Sequence, residues 1–180
     1  MRKLIKNGTV INAESSQRAD ILIEGEKIAR VEPGLNVPDA EIIDASGMLI
    51  LPGGIDPHVH INLPMMGATS SDDYYTVGKA AAFGGTTSLI DFVAQDEGSL
   101  AENIARKLNE SDGRASVDFG LHMNITRFSP EVLEEIAGLP EMGITSVKVF
   151  TAYNKRLRIG DGEIFQVMRA AAQHGLLTLV

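Results

Sequence analysis

The sequence predicts an α/β fold in which a short all-β segment, residues 1–52, precedes a region of strand–helix units, residues 53–180. The main observation is a spacing of about 30 residues between apolar, strand-like runs, which is typical of βα units in a parallel sheet. These runs begin near Ile55, Thr86, Ala115, Ile144 and Leu176. Two further observations support the division: helix-start signals lie between these runs, and no helical period occurs before Pro52.

The first 52 residues consist of short apolar runs separated by turn sequences. In KLIKNGTVI, two runs flank Asn7-Gly8, a dipeptide suited to a tight hairpin because both positions tolerate positive φ. The stretch ADILIEGEKIARVE repeats this pattern around Gly25. We therefore expect two hairpins within a small β-sandwich or sheet that has a structural role.

Helix starts in the second region are marked by residues that cap helices. Two pairs fit a capping box, in which an N-cap side chain and a side chain three positions later bond to each other's backbone N–H: Ser70 with Asp73, and Ser99 with Glu102. Ser129 precedes Pro130 at a first helical position, and Asp161 opens the last helix. These signals predict four complete βα units and a fifth strand.

The number of units leaves two architectures open. A closed eight-stranded βα barrel takes about 250 residues, and residues 53–180 are too few for one. The region is long enough either for half of such a barrel or for a complete five-stranded open sheet.

Composition and charge exclude several classes of partner and site. The chain has 180 residues and a net charge of −8, which disfavours nucleic acids and anionic membranes as partners because both attract basic surfaces. It has no cysteine, so a metal site must use His, Asp, Glu or modified side chains. No apolar run approaches the roughly 18 residues of a membrane span. We expect a soluble, cytoplasmic protein.

Two histidines in GGIDPHVHINLP form the first candidate metal site. His58 and His60 are two residues apart on the predicted first strand of the parallel region, so strand alternation places both imidazoles on one face. They fall near the carboxyl end of this strand, where active sites collect in parallel α/β folds. Imidazole is a common zinc ligand, and two on one strand can share one ion.

A lysine in the predicted strand SVKVF raises a separate question. Lys148 lies among apolar residues, and an ammonium is costly to bury without a partner. It can extend to the surface at a strand end. Alternatively, its neutral amine can react with carbon dioxide to give a carbamate, an anionic group whose two oxygens can bridge two metals. The spacing of the residues leaves both interpretations open.

Four motifs together resemble one enzyme family. LPGGIDPHVH, GKAAAFGGTTSLIDF, DFGLHMNIT and SVKVFTAY occur in this order and resemble the dihydropyrimidinases and hydantoinases, members of the cyclic amidohydrolases. The resemblance covers essentially the whole chain. It implies an eight-stranded βα barrel that carries a β-sandwich, with a binuclear metal centre that usually contains zinc. It therefore favours the half-barrel interpretation of residues 53–180.

The resemblance also implies roles for individual residues. His58 and His60 would bind one metal, and carboxylated Lys148 would bridge both. Tyr153 would donate a hydrogen bond to the developing oxyanion, and Leu63 and Phe150 would line an apolar substrate pocket. The implied reaction is hydrolysis of the cyclic amide of a dihydropyrimidine or hydantoin to an N-carbamoyl amino acid, in an enzyme that tends to form tetramers.

One departure from the family pattern limits what the chain is expected to do alone. The family's remaining ligands, two histidines and the aspartate that acts as the base, would follow residue 180. We therefore expect this chain to be the amino-terminal part of a longer hydrolase and not to turn over by itself.

Two related functions stay open as alternatives. One is an allantoinase-like cyclic amidohydrolase, and the other is a non-enzymatic scaffold protein of the same fold. The scaffold proteins typically lack the histidine pair and the lysine, so His58, His60 and Lys148 favour an enzyme. Dihydroorotases place an arginine where this chain has Asn62, which argues against that activity.

Other polar residues receive simpler interpretations. His122 is expected to be a hydrogen-bonded core histidine, and Asp91 a carboxylate that is structural or supports the site. The loop after Tyr153 carries Lys155, Arg156 and Arg158, which we hypothesise to favour substrates with acidic substituents.

Overall fold

The computed structural model describes residues 1–65 and 67–180, which form two units, Met1–Gly53 and Gly54–Val180. The first unit contains the strands β1 (Arg2–Lys6), β2 (Thr9–Ile11), β3 (Ser16–Arg18), β4 (Asp20–Glu24), β5 (Lys27–Glu32), β6 (Glu41–Asp44) and β7 (Leu49–Ile50). One sheet has the order β5-β4-β1-β6 and another the order β3-β2-β7. Leu4, Leu22 and Leu35 form a buried cluster in this unit.

One of the two predicted hairpins is confirmed and the other is wrong. β4 and β5 pair antiparallel around Gly25, which has a φ of 63°. Asn7 also has a positive φ, 66°, but β1 and β2 join different sheets instead of pairing with each other. The chain therefore bends at Asn7, but Gly8 lacks the positive φ of the predicted tight turn, and the flanking strands find other partners. A Cβ at Gly8 would collide with the Ile50 side chain, so glycine allows the backbone at residue 8 to lie close to that side chain.

The second unit alternates strands and helices. Its elements are β8 (Gly54–Asp56), β9 (Pro64–Met65), β10 (Ala68–Thr69), α1 (Tyr74–Gly84), β11 (Thr86–Val93), α2 (Leu100–Ser111), β12 (Asp118–Asn124), α3 (Pro130–Gly138), β13 (Ser146–Lys148), α4 (Asp161–Gln173) and β14 (Leu177–Leu179). A 3-10 turn over Leu139–Met142 continues α3.

The central sheet of this unit has the order β14-β13-β12-β11-β8, and each neighbouring pair is parallel. This arrangement confirms the predicted α/β class. The largest core cluster includes Met123, Val147 and Val149, which are fully buried. Because successive side chains of a strand point to opposite faces, burial of Val147 and Val149 directs Lys148 away from this cluster.

The predicted helix starts are correct at three positions and wrong at one. Ser99 caps α2 in a capping box with Glu102, Ser129 caps α3, which begins at Pro130, and α4 begins at Asp161. At α1, however, the N-cap is Asp73, whose box partner is Thr76. Ser70 instead accepts a hydrogen bond from the backbone N–H of Leu63, at 2.9 Å.

β12 begins three residues later than the apolar pattern suggests, at Asp118 instead of near Ala115. The backbone N–H groups of Arg114 and Ala115 donate to Ser111 O, so these residues belong to the turn that ends α2. Among the described residues, no helix is long and apolar enough to cross a membrane.

Candidate functional site

The histidine pair lies just beyond the first strand of the parallel sheet, not on the strand as predicted. β8 ends at Asp56, whose Oδ1 atom accepts a hydrogen bond from the backbone N–H of His58 at 3.1 Å. The backbone N–H of Val59 donates to Ile90 O at 3.1 Å and keeps the segment beside β11. The two imidazole centroids are 5.2 Å apart with the rings nearly perpendicular. The pair thus occupies the carboxyl end of the sheet, the edge where the sequence predicted a site.

The ring of Phe92 forms a shared contact surface for the basic side chains at this edge. Its centroid is 4.6 Å from that of His58 and 4.9 Å from that of His60. The Lys148 Nζ atom lies 4.9 Å from the same centroid, and the ring of His122 lies 4.8 Å away. The structure therefore brings His58, His60 and Lys148 together around one ring. Sequence reasoning missed Phe92, because its place opposite His122 follows from the pairing of β11 with β12, which no local pattern specifies.

Lys148 is half-buried and lies between two aromatic faces. Its Nζ atom is 5.4 Å from the Phe150 centroid in addition to its contact with Phe92, and both contacts favour a cation. Its register partner on β12 is Asn124. The Oδ1 atom of Asn124 is buried and has no hydrogen-bond partner within residues 1–65 and 67–180.

The surroundings of His60 favour its neutral form. Burial, followed by repulsion from His58, lowers the pKa of His60, and Lys148 lowers it further. Neutral imidazole is the form that binds metal ions.

His122 is the hydrogen-bonded core histidine that the sequence predicted. It is buried, its Nε2 atom lies 2.9 Å from Pro57 O, and its Nδ1 atom contacts the Ser146 hydroxyl. Because a carbonyl oxygen only accepts, Nε2 carries the proton and donates to Pro57, and Nδ1 accepts from Ser146. Burial lowers the pKa of His122. Both ring nitrogens are thereby engaged within the protein.

Tyr153 lies beside Phe150, which also contacts Lys148. Their ring centroids are 6.2 Å apart, and Tyr153 is exposed. Tyr153 has a φ of 61°, unusual for a non-glycine residue, and its carbonyl accepts hydrogen bonds from the N–H groups of residues 156, 157 and 158. Residues held in such sparsely populated backbone conformations cluster at functional sites.

The two residues predicted to line the substrate pocket occupy different places. Leu63 borders a cleft of about 170 Å³ together with His60, Asp91 and Lys107. Phe150 lies instead against Lys148 and Tyr153.

Of Lys155, Arg156 and Arg158, the three basic residues hypothesised to select acidic substituents, Arg158 is already bound within the protein. The Arg158 guanidinium forms an ion pair with Asp161 at 2.6 Å and donates to Asn154 Oδ1 at 3.0 Å. Arg158 therefore holds the start of α4, and Lys155 and Arg156 remain for the hypothesis.

The side chains gathered at this edge can hold a metal ion only if Lys148 acts as a ligand beside His58 and His60. In the part of the chain that the structure describes, no three His, Cys, Asp or Glu side chains form a group able to hold a metal ion. The imidazoles of His58 and His60 and the Lys148 side chain nevertheless share one aromatic surface. A carbamate on Lys148 would add the anionic oxygen ligand that this set lacks, so the residues fit a centre built on a carboxylated lysine.

Comparison with known proteins shows matches along the whole chain. It is 42% identical to a D-hydantoinase of Geobacillus stearothermophilus over all of its length and 39% of the length of that protein. It is 39% identical to dihydropyrimidinase 1 of Caenorhabditis elegans over 94% of its length and 36% of that protein. The chain thus spans less than half the length of these relatives. No protein-family model matches the sequence.

Solved structures give the same result. The crystal structure of a dihydropyrimidinase from Brevibacillus agri superposes with a TM-score of 0.95 at 43% identity, over 99% of this chain and 39% of that one. The matches in sequence and in structure identify this chain as homologous, over its whole length, to the dihydropyrimidinase and D-hydantoinase family.

Proposed function

We propose that this chain contributes part of the active site of a metal-dependent cyclic amidohydrolase that opens dihydropyrimidine or hydantoin rings to N-carbamoyl amino acids. The names of its homologues support cyclic amide hydrolysis. The observation that carries the proposal is the convergence of His58, His60 and Lys148 on the ring of Phe92. Residues 54–180 would then form half of an eight-stranded βα barrel, and the whole enzyme would be a homotetramer.

The residues would divide the work of holding the metals. His58 and His60 would hold one divalent cation, with zinc as the expected metal, through neutral imidazole nitrogens. Lys148, as a carbamate, would bridge this cation and a second one. The cations would supply a lowered pKa for water and polarisation of the scissile carbonyl. Conversion of Lys148 to a carbamate also removes a positive charge from a half-buried position beside two imidazoles.

Tyr153 and the apolar residues would act on the substrate. The exposed Tyr153 hydroxyl would donate a hydrogen bond to the oxygen that gains negative charge when the ring carbonyl becomes tetrahedral. The hydrogen bonds to its carbonyl hold the Tyr153 backbone in place before the reaction. Leu63 and Phe150 would contact the substituent on the ring.

Turnover by the full-length protein tests this function. We expect hydrolysis of dihydrouracil and hydantoin, measured as loss of the cyclic substrate and appearance of the N-carbamoyl product. A chelator should abolish it, and zinc should restore it. If the folded, zinc-supplemented protein hydrolyses neither ring, the proposal is wrong. If that protein nevertheless binds zinc, hydrolysis of allantoin is the next activity to measure.

A further inference from the structure

We propose that Asp91, acting with Lys107, Tyr74 and His122, fixes the backbone on both sides of the histidine pair and so positions His58 and His60 for metal binding. This inference rests on the proposed function, because positioning matters only if the two imidazoles bind a metal. These are positioning residues: Asp91, Lys107 and His122 bind the backbone of residues 57–61, and Tyr74 binds Asp91. Their effect reaches the metal through His58 and His60.

The downstream side of the pair is held by an almost completely buried carboxylate. The Asp91 Oδ1 atom accepts hydrogen bonds from the backbone N–H of Ile61, at 3.3 Å, and of Phe92, at 2.7 Å. The Lys107 Nζ atom lies 3.0 Å from Asp91 Oδ2 and donates to Ile61 O at 2.7 Å. Both backbone polar groups of Ile61, the residue after His60, are thus bound by one ion pair.

Tyr74 completes this arrangement. Its hydroxyl donates to Asp91 Oδ2 at 3.0 Å, and its ring lies 5.4 Å from Lys107 Nζ. Burial and the neighbouring Asp91 carboxylate raise the pKa of Tyr74, so the hydroxyl keeps its proton and remains a donor. Tyr74, Ile61 and Leu89 form one buried cluster, which fixes the side chain of Ile61 as well as its backbone.

The upstream side of the pair is held by His122. Its Nε2 atom donates to the carbonyl of Pro57, the residue before His58, and its other ring nitrogen contacts Ser146. Between the two ends, Val59 bonds to the backbone of β11. The segment from Pro57 to Ile61 is therefore bound at its start by β12, at its middle by β11, and at its end by β11 and α2.

The energetics of buried ion pairs favour a positioning role over a purely stabilising one. The Lys107 side chain is 11% exposed and that of Asp91 is 2% exposed. Burial of two charges costs about as much as their attraction returns, so a hydrophobic pair of similar size would often give equal stability. What an apolar pair cannot do is bind the N–H and C=O of Ile61. Because the direction of each imidazole follows from the backbone that carries it, these bonds set the geometry available to a metal.

The test uses the full-length protein and variants that each remove a different part of the Asp91, Lys107 and Tyr74 contacts. Asp91→Asn keeps the shape of the side chain but removes its charge. Lys107→Met removes the ammonium at similar length, and Tyr74→Phe removes one hydroxyl and leaves the ring. Asp20→Asn is the matched control, because Asp20 is also buried and also accepts from two backbone N–H groups, those of Asn7 and Leu35, in the Met1–Gly53 unit.

Three measurements separate positioning from general stability. Zinc affinity and the visible absorption spectrum of the cobalt-substituted protein report on the metal, and amide hydrogen exchange of the metal-free protein reports on residues 58–62. We expect Asp91→Asn and Lys107→Met to weaken zinc binding by about 10- to 100-fold, to alter the cobalt spectrum and to speed exchange in this segment. Tyr74→Phe should have a smaller effect of the same kind, and Asp20→Asn should leave the zinc affinity, spectrum and exchange of this segment unchanged.

The possible failures are distinguishable. If the unmodified protein binds zinc and the Asp91 and Lys107 variants bind it equally well with an unchanged cobalt spectrum, the positioning role is wrong and the proposed function stands. If these two variants do not fold, Tyr74→Phe decides, and unchanged affinity, spectrum and exchange in it would overturn the inference. If the unmodified protein binds no zinc, the proposed function fails and the positioning role fails with it.

Discussion

The Lys148 ammonium nitrogen lies 4.9 Å from the centre of the Phe92 ring, the same ring that His58 and His60 contact. Residues far apart in the sequence, on β11 and β13 and in the segment after β8, therefore meet on one aromatic side chain. The contact explains how a lysine is tolerated at a half-buried position before any modification, because the faces of Phe92 and Phe150 both favour a cation.

Removal of either histidine should reduce metal binding. We expect His58→Ala and His60→Ala in the full-length protein to weaken zinc binding by more than about 100-fold, since loss of a ligand should exceed the effect of losing a residue that supports one. His174→Ala is the control because His174 is exposed at the end of α4. Zinc content after dialysis against a weak chelator checks this, and normal zinc content in both site variants would exclude these histidines as ligands.

Loss of the Tyr153 hydroxyl should affect turnover and spare metal binding. We expect Tyr153→Phe to lower kcat by about 100- to 1,000-fold, the usual effect of removing one oxyanion donor. Tyr75→Phe is the control, since Tyr75 is also exposed but lies on α1. The measurement is steady-state hydrolysis of hydantoin together with zinc content. An unchanged kcat for Tyr153→Phe would remove Tyr153 from the reaction.

Phe92 should matter for stability even without metal. Phe92→Leu removes the ring contacts with three imidazoles and an ammonium, so we expect the free energy of unfolding to fall by about 1 kcal/mol or more. The matched substitution Phe83→Leu changes a side chain that is 87% exposed and should cost less than about 0.5 kcal/mol. Urea unfolding of the metal-free full-length protein compares the two. Equal costs would show that the shared aromatic surface contributes nothing to stability.

The sequence predicted the architecture of the parallel region well because its signals are local. The caps at Ser99 and Ser129 depend on residues within one helical turn, and the structure confirms both. Each strand is likewise marked by its own short apolar run. Errors arose where a local signal had two outcomes. Ser70 and Asp73 both suit the start of α1, and Thr76, which the capping-box pattern did not include, decided for Asp73. Likewise, Asn7-Gly8 specifies a turn but not which strands pair beside it.

The site was predictable only in part. His58, His60 and Lys148 stand out by residue type, so motifs suffice to find them. Their supports do not stand out: Phe92 is an ordinary strand residue, and Lys107 lies on α2, where a lysine suggests an exposed helix face. Its bond to Ile61 O spans 46 positions in the sequence, and no local pattern indicates a contact of this range.

The most direct test of the central claim is the intact mass and metal content of the full-length protein, compared with those of Lys148→Ala. Lys79→Ala, an exposed lysine on α1, serves as the control. We predict about two zinc ions per chain and the added mass of one carbon dioxide under non-denaturing conditions in the unmodified and control proteins, and loss of both in Lys148→Ala. Unchanged metal content in a folded Lys148→Ala protein, or no metal in the unmodified one, would contradict the account of Lys148 as a bridging carbamate.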